Sequence, residues 1–193
     1  TVNDKTYDTT RTATYVLNSD KVAGDVLTLT ANTALFDTKN AAAGKTVSVG
    51  GIAVSGTDAS NYTLQNASTT TTAEIRKADL AITGLSATSR IYDGSLTAAL
   101  TGTAAISAFQ GDTVSLSGAA SGAFATKDVG TAKAVTTSGL SLTGTDSGNY
   151  NLVNPSLTAN ITPKALTISG IIAANKEYDG TSTATVSSAG VVK

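Results

Sequence analysis

A tyrosine–aspartate motif written three times at a wide, regular spacing constrains this chain more than any other feature. Ile91-Tyr92-Asp93-Gly94 returns as Glu177-Tyr178-Asp179-Gly180, and near the start in a weaker form as Thr6-Tyr7-Asp8-Thr9. The tyrosines stand at positions 7, 92 and 178. A period of roughly 86 residues is too long for a solenoid turn and suits a small complete domain. Other landmarks recur in the same order. Gly24-Asp25-Val26 answers Gly111-Asp112-Thr113-Val114, and Phe36-Asp37-Thr38-Lys39 answers Phe124-Ala125-Thr126-Lys127. Gly56-Thr57-Asp58 answers Gly144-Thr145-Asp146, and Asn61-Tyr62-Thr63-Leu64 answers Asn149-Tyr150-Asn151-Leu152. Leu80-Ala81-Ile82-Thr83-Gly84 answers Leu166-Thr167-Ile168-Ser169-Gly170. Such an ordered set marks duplication. It divides the chain into a first module over 1–78 that lacks its opening strand, a complete second module over 79–165, and the opening of a third over 166–193.

Between landmarks the residues alternate as strands do, with Val, Leu or Ile at every second or nearby position in Val26–Thr30, Thr46–Val49, Val114–Ser117 and Leu157–Ile161. Gly, Asn, Asp and Ser clusters separate these runs and supply turns. The expectation is an all-β chain of tandem small sandwich-like modules. An Ig-like topology comes first and a β-grasp-like one is the alternative, because spacing does not reveal strand order. One short helical turn is expected around Ala34–Asp37. The module edges, near Lys77–Leu80 and Lys164–Leu166, carry no Gly/Ser-rich linker, so consecutive modules should stand nearly end to end. The third segment should either pair with a neighbour or fray.

Composition narrows the function. The net charge of −1 gives no basic footprint for nucleic acid and no polybasic patch for an anionic membrane. No apolar run approaches the roughly 20 residues that span a bilayer as a helix. Cys, Met, His and Trp are absent, which removes disulfides, thiolate metal sites and the commonest general base. Lack of oxidisable sulfur suits an exposed extracellular protein.

Taken together, Tyr92-Asp93-Gly94, Gly111-Asp112, Phe124 with Lys127-Asp128-Val129-Gly130, Gly144-Thr145-Asp146, Asn149-Tyr150-Asn151-Leu152 and Ile161-Thr162-Pro163-Lys164 resemble the YDG repeat. Such repeats occur in tandem in very large secreted bacterial proteins of the filamentous-haemagglutinin type. The resemblance covers nearly the whole chain. It implies stalk or spacer modules of a secreted or surface-exposed Gram-negative adhesin, serving cell adhesion or biofilm formation, with neighbouring repeats as the first partners and no enzymatic activity. The first copy departs from the pattern at Thr9, where Gly is expected, and at Ala42, opposite Gly130. Both changes put the turn geometry of that copy in question.

The candidate residues follow from these motifs. At Tyr92-Asp93-Gly94 and Tyr178-Asp179-Gly180, Gly allows positive φ, Asp bonds nearby amides, and the Tyr ring, like that of Tyr7, packs over a module edge. Tyr62 and Tyr150 are expected to anchor the sandwich core as corner tyrosines. Asp58, Asn61, Asp146 and Asn149 offer oxygen ligands, so Ca²⁺ is conceivable, but one Asp per turn favours ordinary capping. Lys39 and Lys127 raise an intramolecular isopeptide bond, which requires a buried acid nearby. No carboxylate pair, activated serine or phosphate loop stands out, so no catalysis and no cofactor are expected. A binding-module alternative has Tyr15, Tyr92 or Tyr178 exposed to an exopolysaccharide or host glycan. A further alternative has an unpaired strand of the third copy associating by β-augmentation.

Overall fold

The structure, a computed structural model, describes residues 1–186 and 191–192. It is all-β. Copy one contributes β1 (Lys5–Thr6), β2 (Thr28–Thr30), β3 (Thr33–Phe36), β4 (Ala42–Gly50), β5 (Ala53–Ser55) and β6 (Ser68–Arg76). Copy two contributes β7 (Ala78–Ala81), β8 (Thr83–Ala87), β9 (Arg90–Ile91), β10 (Thr97–Ala98), β11 (Leu100–Ala105), β12 (Ser115–Phe124), β13 (Gly130–Thr143), β14 (Tyr150–Val153) and β15 (Leu157–Thr162). β16 (Ile168–Ser169) and β17 (Val191–Val192) belong to the third segment. The helical turn expected around Ala34–Asp37 is instead strand β3, where Ala34 and Phe36 are buried and Thr33 and Leu35 face out. That period of two is the strand signature, and it overrides the helix propensity of Ala-Leu. Short 3-10 turns occur elsewhere, at Ala59–Asn61 and Ser147–Asn149.

The two copies share one plan. Copy one forms the sheet β1-β6-β4-β3 and copy two the sheet β10-β12-β13-β15-β9. In both, a short strand ending at the Tyr-Asp motif runs parallel to the last strand of its copy, Lys5–Thr6 beside Ile75–Arg76 and Arg90–Ile91 beside Ile161–Thr162. This parallel pairing carries Tyr7 and Tyr92 from early in each copy to the end where the chain leaves it. One residue, Lys77, separates β6 from β7, which pairs in parallel with β14 (Tyr150↔Ala78 through Val153↔Ala81). The third segment pairs with itself: Ala173 bridges Val186, and Ile168–Ser169 pairs with Val191–Val192. The same bridge appears as Ala87↔Leu100 in copy two and Val2↔Tyr15 in copy one.

Packing does not follow the repeat boundary. One buried cluster joins Phe36, Val47 and Ile75 of copy one to Leu80 and Tyr150 of copy two, with Val114 and Leu142 packed against it. A second cluster, Ala98, Phe124, Val135, Ala159 and Ile161, fills the far half of copy two.

Candidate functional site

The Tyr-Asp motif is a turn held by a cation three residues before the Asp. Lys5 Nζ donates to Asp8 Oδ1 at 2.7 Å and to the Thr10 and Thr12 carbonyls, Arg90 reaches Asp93 and Ser95, and Lys176 reaches Asp179 and Thr181. Each Asp also accepts the amide two residues on, from Thr10, Ser95 and Thr181. The residue between has positive φ: 82° at Gly94, 74° at Gly180 and 70° at Thr9. Copy one therefore keeps the turn despite Thr9, at the strain a β-branched residue bears there. Ala42 is likewise accommodated: copy one has a register shift between Ala42 and Lys45, as copy two has between Gly130 and Lys133. The turn cation also lies over a buried ring, Lys5 over Phe36 at 5.6 Å and Arg90 over Phe124 at 5.4 Å.

The tyrosine of that turn points into the next copy. Tyr7, 1% exposed, packs edge-on against Tyr150 (5.5 Å between ring centroids) and tilted against Phe109 at 6.1 Å. The hydroxyls of Tyr7 and Tyr150 both donate to Asp112 Oδ2 at 2.7 Å. Lys39 of copy one donates to Asp112 Oδ1 at 2.7 Å, pairs with Asp146 Oδ1 at 3.3 Å, and lies 5.8 Å from the Tyr7 ring centroid. Asn149 closes the joint by accepting the Ala41 amide at 2.9 Å.

Backbone geometry aims these groups. Asp146 Oδ2 accepts the Thr113 amide while its own amide donates to the Thr113 carbonyl, which leaves Oδ1 for Lys39. That mutual clasp requires glycine at 144 (φ 110°), since a Cβ there would lie 2.3 Å from the Thr113 oxygen. The Gly-Thr-Asp landmark thus builds half the joint. Burial pushes the Asp112 carboxyl up, but the Lys39 ammonium and two tyrosine hydroxyls outweigh it and hold Asp112 below the usual carboxylate range. Asp146 is lowered mainly by the Thr113 amide, with Lys39 adding to it. Tyr150 is pushed up to about 12, first by burial and then by Asp112, and Tyr7 rises for the same reasons. Lys39 rises chiefly through its bond to Asp112. The site is an ionised clamp between two copies, buried at Asp112 and open to water at Lys39.

The sequence-predicted residues fall around this joint. Tyr150, 4% exposed, sits in it as part of the buried cluster. Tyr62, its counterpart, makes the equivalent bonds within copy one, away from the joint, donating to Asp25 at 2.5 Å and accepting the Val22 amide at 2.9 Å. Asp58 there accepts the Val26 amide at 2.8 Å. Among the described residues no three acidic side chains gather into a metal-sized group. The Asp112–Asp146 pair holds the Lys39 ammonium, and Asn149 faces copy one. Tyr15 is half-buried, its hydroxyl bonded to Ala31, whereas Tyr178 is 98% exposed. The sequence did not single out Asp112 of the next copy as the acid beside Lys39. Nor did it single out Phe109 or the turn cations Lys5, Arg90 and Lys176, although a basic residue two places before each motif tyrosine was a readable signal.

The comparison with protein families matches the YDG domain over residues 1–72 and again over 76–159. No curated protein matches the chain, and no solved structure does. Two successive matches covering most of the chain establish the family: the chain belongs to the YDG domain family.

Proposed function

We propose that this chain is a pair of structural spacer modules from the stalk of a large secreted or surface-exposed bacterial adhesin, holding a distal binding region away from the cell without catalysing a reaction. The observation that carries this reading is the Tyr7–Lys39–Asp112–Tyr150 clamp. It joins the copies through a shared apolar cluster and an ion pair whose Asp112 side chain is 1% exposed. One intervening residue and a buried joint oppose bending, the property a spacer needs. The glycan-binding alternative asks for exposed tyrosines beside Asp and Asn in a groove, and the tied hydroxyl of Tyr15 speaks against that residue.

Small-angle scattering with and without calcium tests the proposal. A curve that fits one fixed arrangement of the copies, unchanged by calcium, is the expected result. A curve that only an ensemble of inter-copy angles fits would overturn it.

A further inference from the structure

The parallel pairing that carries each motif tyrosine to the exit of its copy also sets how that copy is loaded when the chain is pulled. In copy two the entry stretch, residues 78–92, lies alongside the exit stretch, residues 150–162, and the two run in the same direction. Ala78 faces Tyr150 at one end and Ile91 faces Thr162 at the other. Four residue pairs join β7 to β14, and the Ile82 amide extends that ladder by donating to the Val153 carbonyl at 3.0 Å. Beyond β8, which pairs with β11, the ladder resumes. The Asn160 amide donates to Ser89 Oγ at 2.9 Å, and the Tyr92 amide donates to the Thr162 carbonyl at 2.9 Å.

The Tyr-Asp turn closes the far end of this ladder. Arg90, at the start of β9, lies over the buried Phe124 ring and bonds Asp93 and Ser95. A slide of β9 toward the entry would draw its guanidinium off that ring. The same slide would strip Leu80 and Ile82, 4% and 3% exposed, from the core. Copy one repeats the exit part of the arrangement. There the Glu74 amide donates to Asp4 Oδ1 at 2.8 Å and the Tyr7 amide to the Arg76 carbonyl at 2.8 Å, with Lys5 over Phe36. Ladder and turn recur together.

We infer that copy two is a tension-bearing unit, its entry and exit strands forming a clamp loaded in shear, with the Tyr-Asp turn as the end stop. Tension that enters at Lys77 and leaves at Pro163 draws residues 78–92 toward the entry and residues 150–162 toward the exit, along their own axes. The ladder bonds lie across that pull. They share the load and give way together, whereas a ladder opened from one end breaks one bond at a time. The rate of that concerted rupture, rather than equilibrium stability, sets the force the copy withstands. The inference goes beyond the spacer reading, which concerns bending between copies, and it uses no contact across the Tyr7–Asp112 joint.

Single-molecule pulling on the whole chain tests this, and a sequence without cysteine allows thiol handles at chosen places. Lys77→Cys with Lys164→Cys brackets copy two and applies the force in shear. Lys77→Cys with Gly148→Cys instead pulls the entry ends of β7 and β14 apart; Gly148 is exposed, and a Cβ there meets nothing within 4 Å. At one pulling rate the first rupture of copy two, identified by its released length, should need roughly twofold or more force in shear than in peeling, because bonds that share a load fail together. Ser89→Ala, at an exposed position, should lower the shear force and leave the peeling force unchanged, since peeling begins at the Ala78–Tyr150 pair. Free bending between copies, which would overturn the spacer reading, does not move these forces, because each pair of handles flanks or lies within copy two. Equal forces in the two geometries, or an effect of Ser89→Ala that is the same in both, would overturn the inference.

Discussion

Lys39→Met is the sharpest probe of the joint, because the repeat supplies its own control. Methionine keeps the apolar stem and removes the ammonium. What remains is Asp112, a carboxylate 1% exposed, with only the Tyr7 and Tyr150 hydroxyls as side-chain donors. Breaking a fully buried pair costs about 3–5 kcal/mol, and losing a hydrogen bond to a charged group about 1.5–3 kcal/mol. The Lys39 side chain is 36% exposed, so water screens part of the attraction, and the two hydroxyls still solvate the acid. The lower range applies, and the expected loss is about 2 kcal/mol, or a Tm decrease of roughly 4–8 °C for a chain of this size. Lys127→Met makes the same chemical change where the side chain is exposed and no ion pair is present among the described residues, so it should cost less than about 0.5 kcal/mol. Urea denaturation of wild type, both variants, Asp112→Asn and the Lys39→Met/Asp112→Asn double variant completes the cycle, with a coupling of about 1–2 kcal/mol expected between Lys39 and Asp112. Equal losses for Lys39→Met and Lys127→Met would refute the reasoning, since the joint is what distinguishes those lysines.

Three further outcomes follow from the same geometry. Thr9→Gly should stabilise the chain by roughly 0.5–1 kcal/mol, the relief of a left-handed β-branched residue less the added chain entropy of Gly; a thermal melt that falls would show that Thr9 gains something the turn does not reveal. Gly144→Ala should cost more than about 2 kcal/mol, because its Cβ would meet the Thr113 oxygen while the backbone is held at φ 110°; a neutral result in the same melt would show that the Asp146–Thr113 clasp can shift freely. Stability should be flat between about pH 5 and 9. Asp112 and Asp146 have lowered values, so their contribution is full above about pH 4 and is lost as pH falls through those values. Tyr150 is raised to about 12 and Tyr7 is also raised, so their contribution is full below about pH 10 and is lost as pH rises through the folded values. Denaturation midpoints followed across pH check both limbs, and a maximum confined to neutral pH would contradict the assignment.

The strand content was legible because Thr, Val and Leu alternate with little interruption, and the repeat was legible because its turn residues are chemically demanding. Gly144 cannot carry a Cβ, and Asp93 must accept the Ser95 amide, so such residues recur at matching places. The joint was not legible for the same local reason. Nothing near Lys39 in sequence indicates Asp112, and only the parallel pairing of β1 with β6 brings Tyr7 to the copy's exit. Strand partners so distant along the chain leave no periodic mark. The misplaced helical turn at Ala34–Asp37 fails differently: four residues are too few for local propensity to compete with burial of Ala34 and Phe36.

The sequence repeat and the packing unit are out of phase, and this shapes how such a chain should open. The first buried cluster takes its residues from the exit half of copy one and the entry half of copy two. Burying Leu80 and Ile82 stabilises copy two by about 1.5–3 kcal/mol each. Hydrogen exchange should show amides of β3 and β4 exchanging with the β7–β14 ladder as one unit. If β4 exchanges independently of that ladder, each copy is an independent domain and the joint is only a contact. If the β4 amides follow copy two, stability in this chain resides in the joint, as nearest-neighbour coupling does in other repeat arrays.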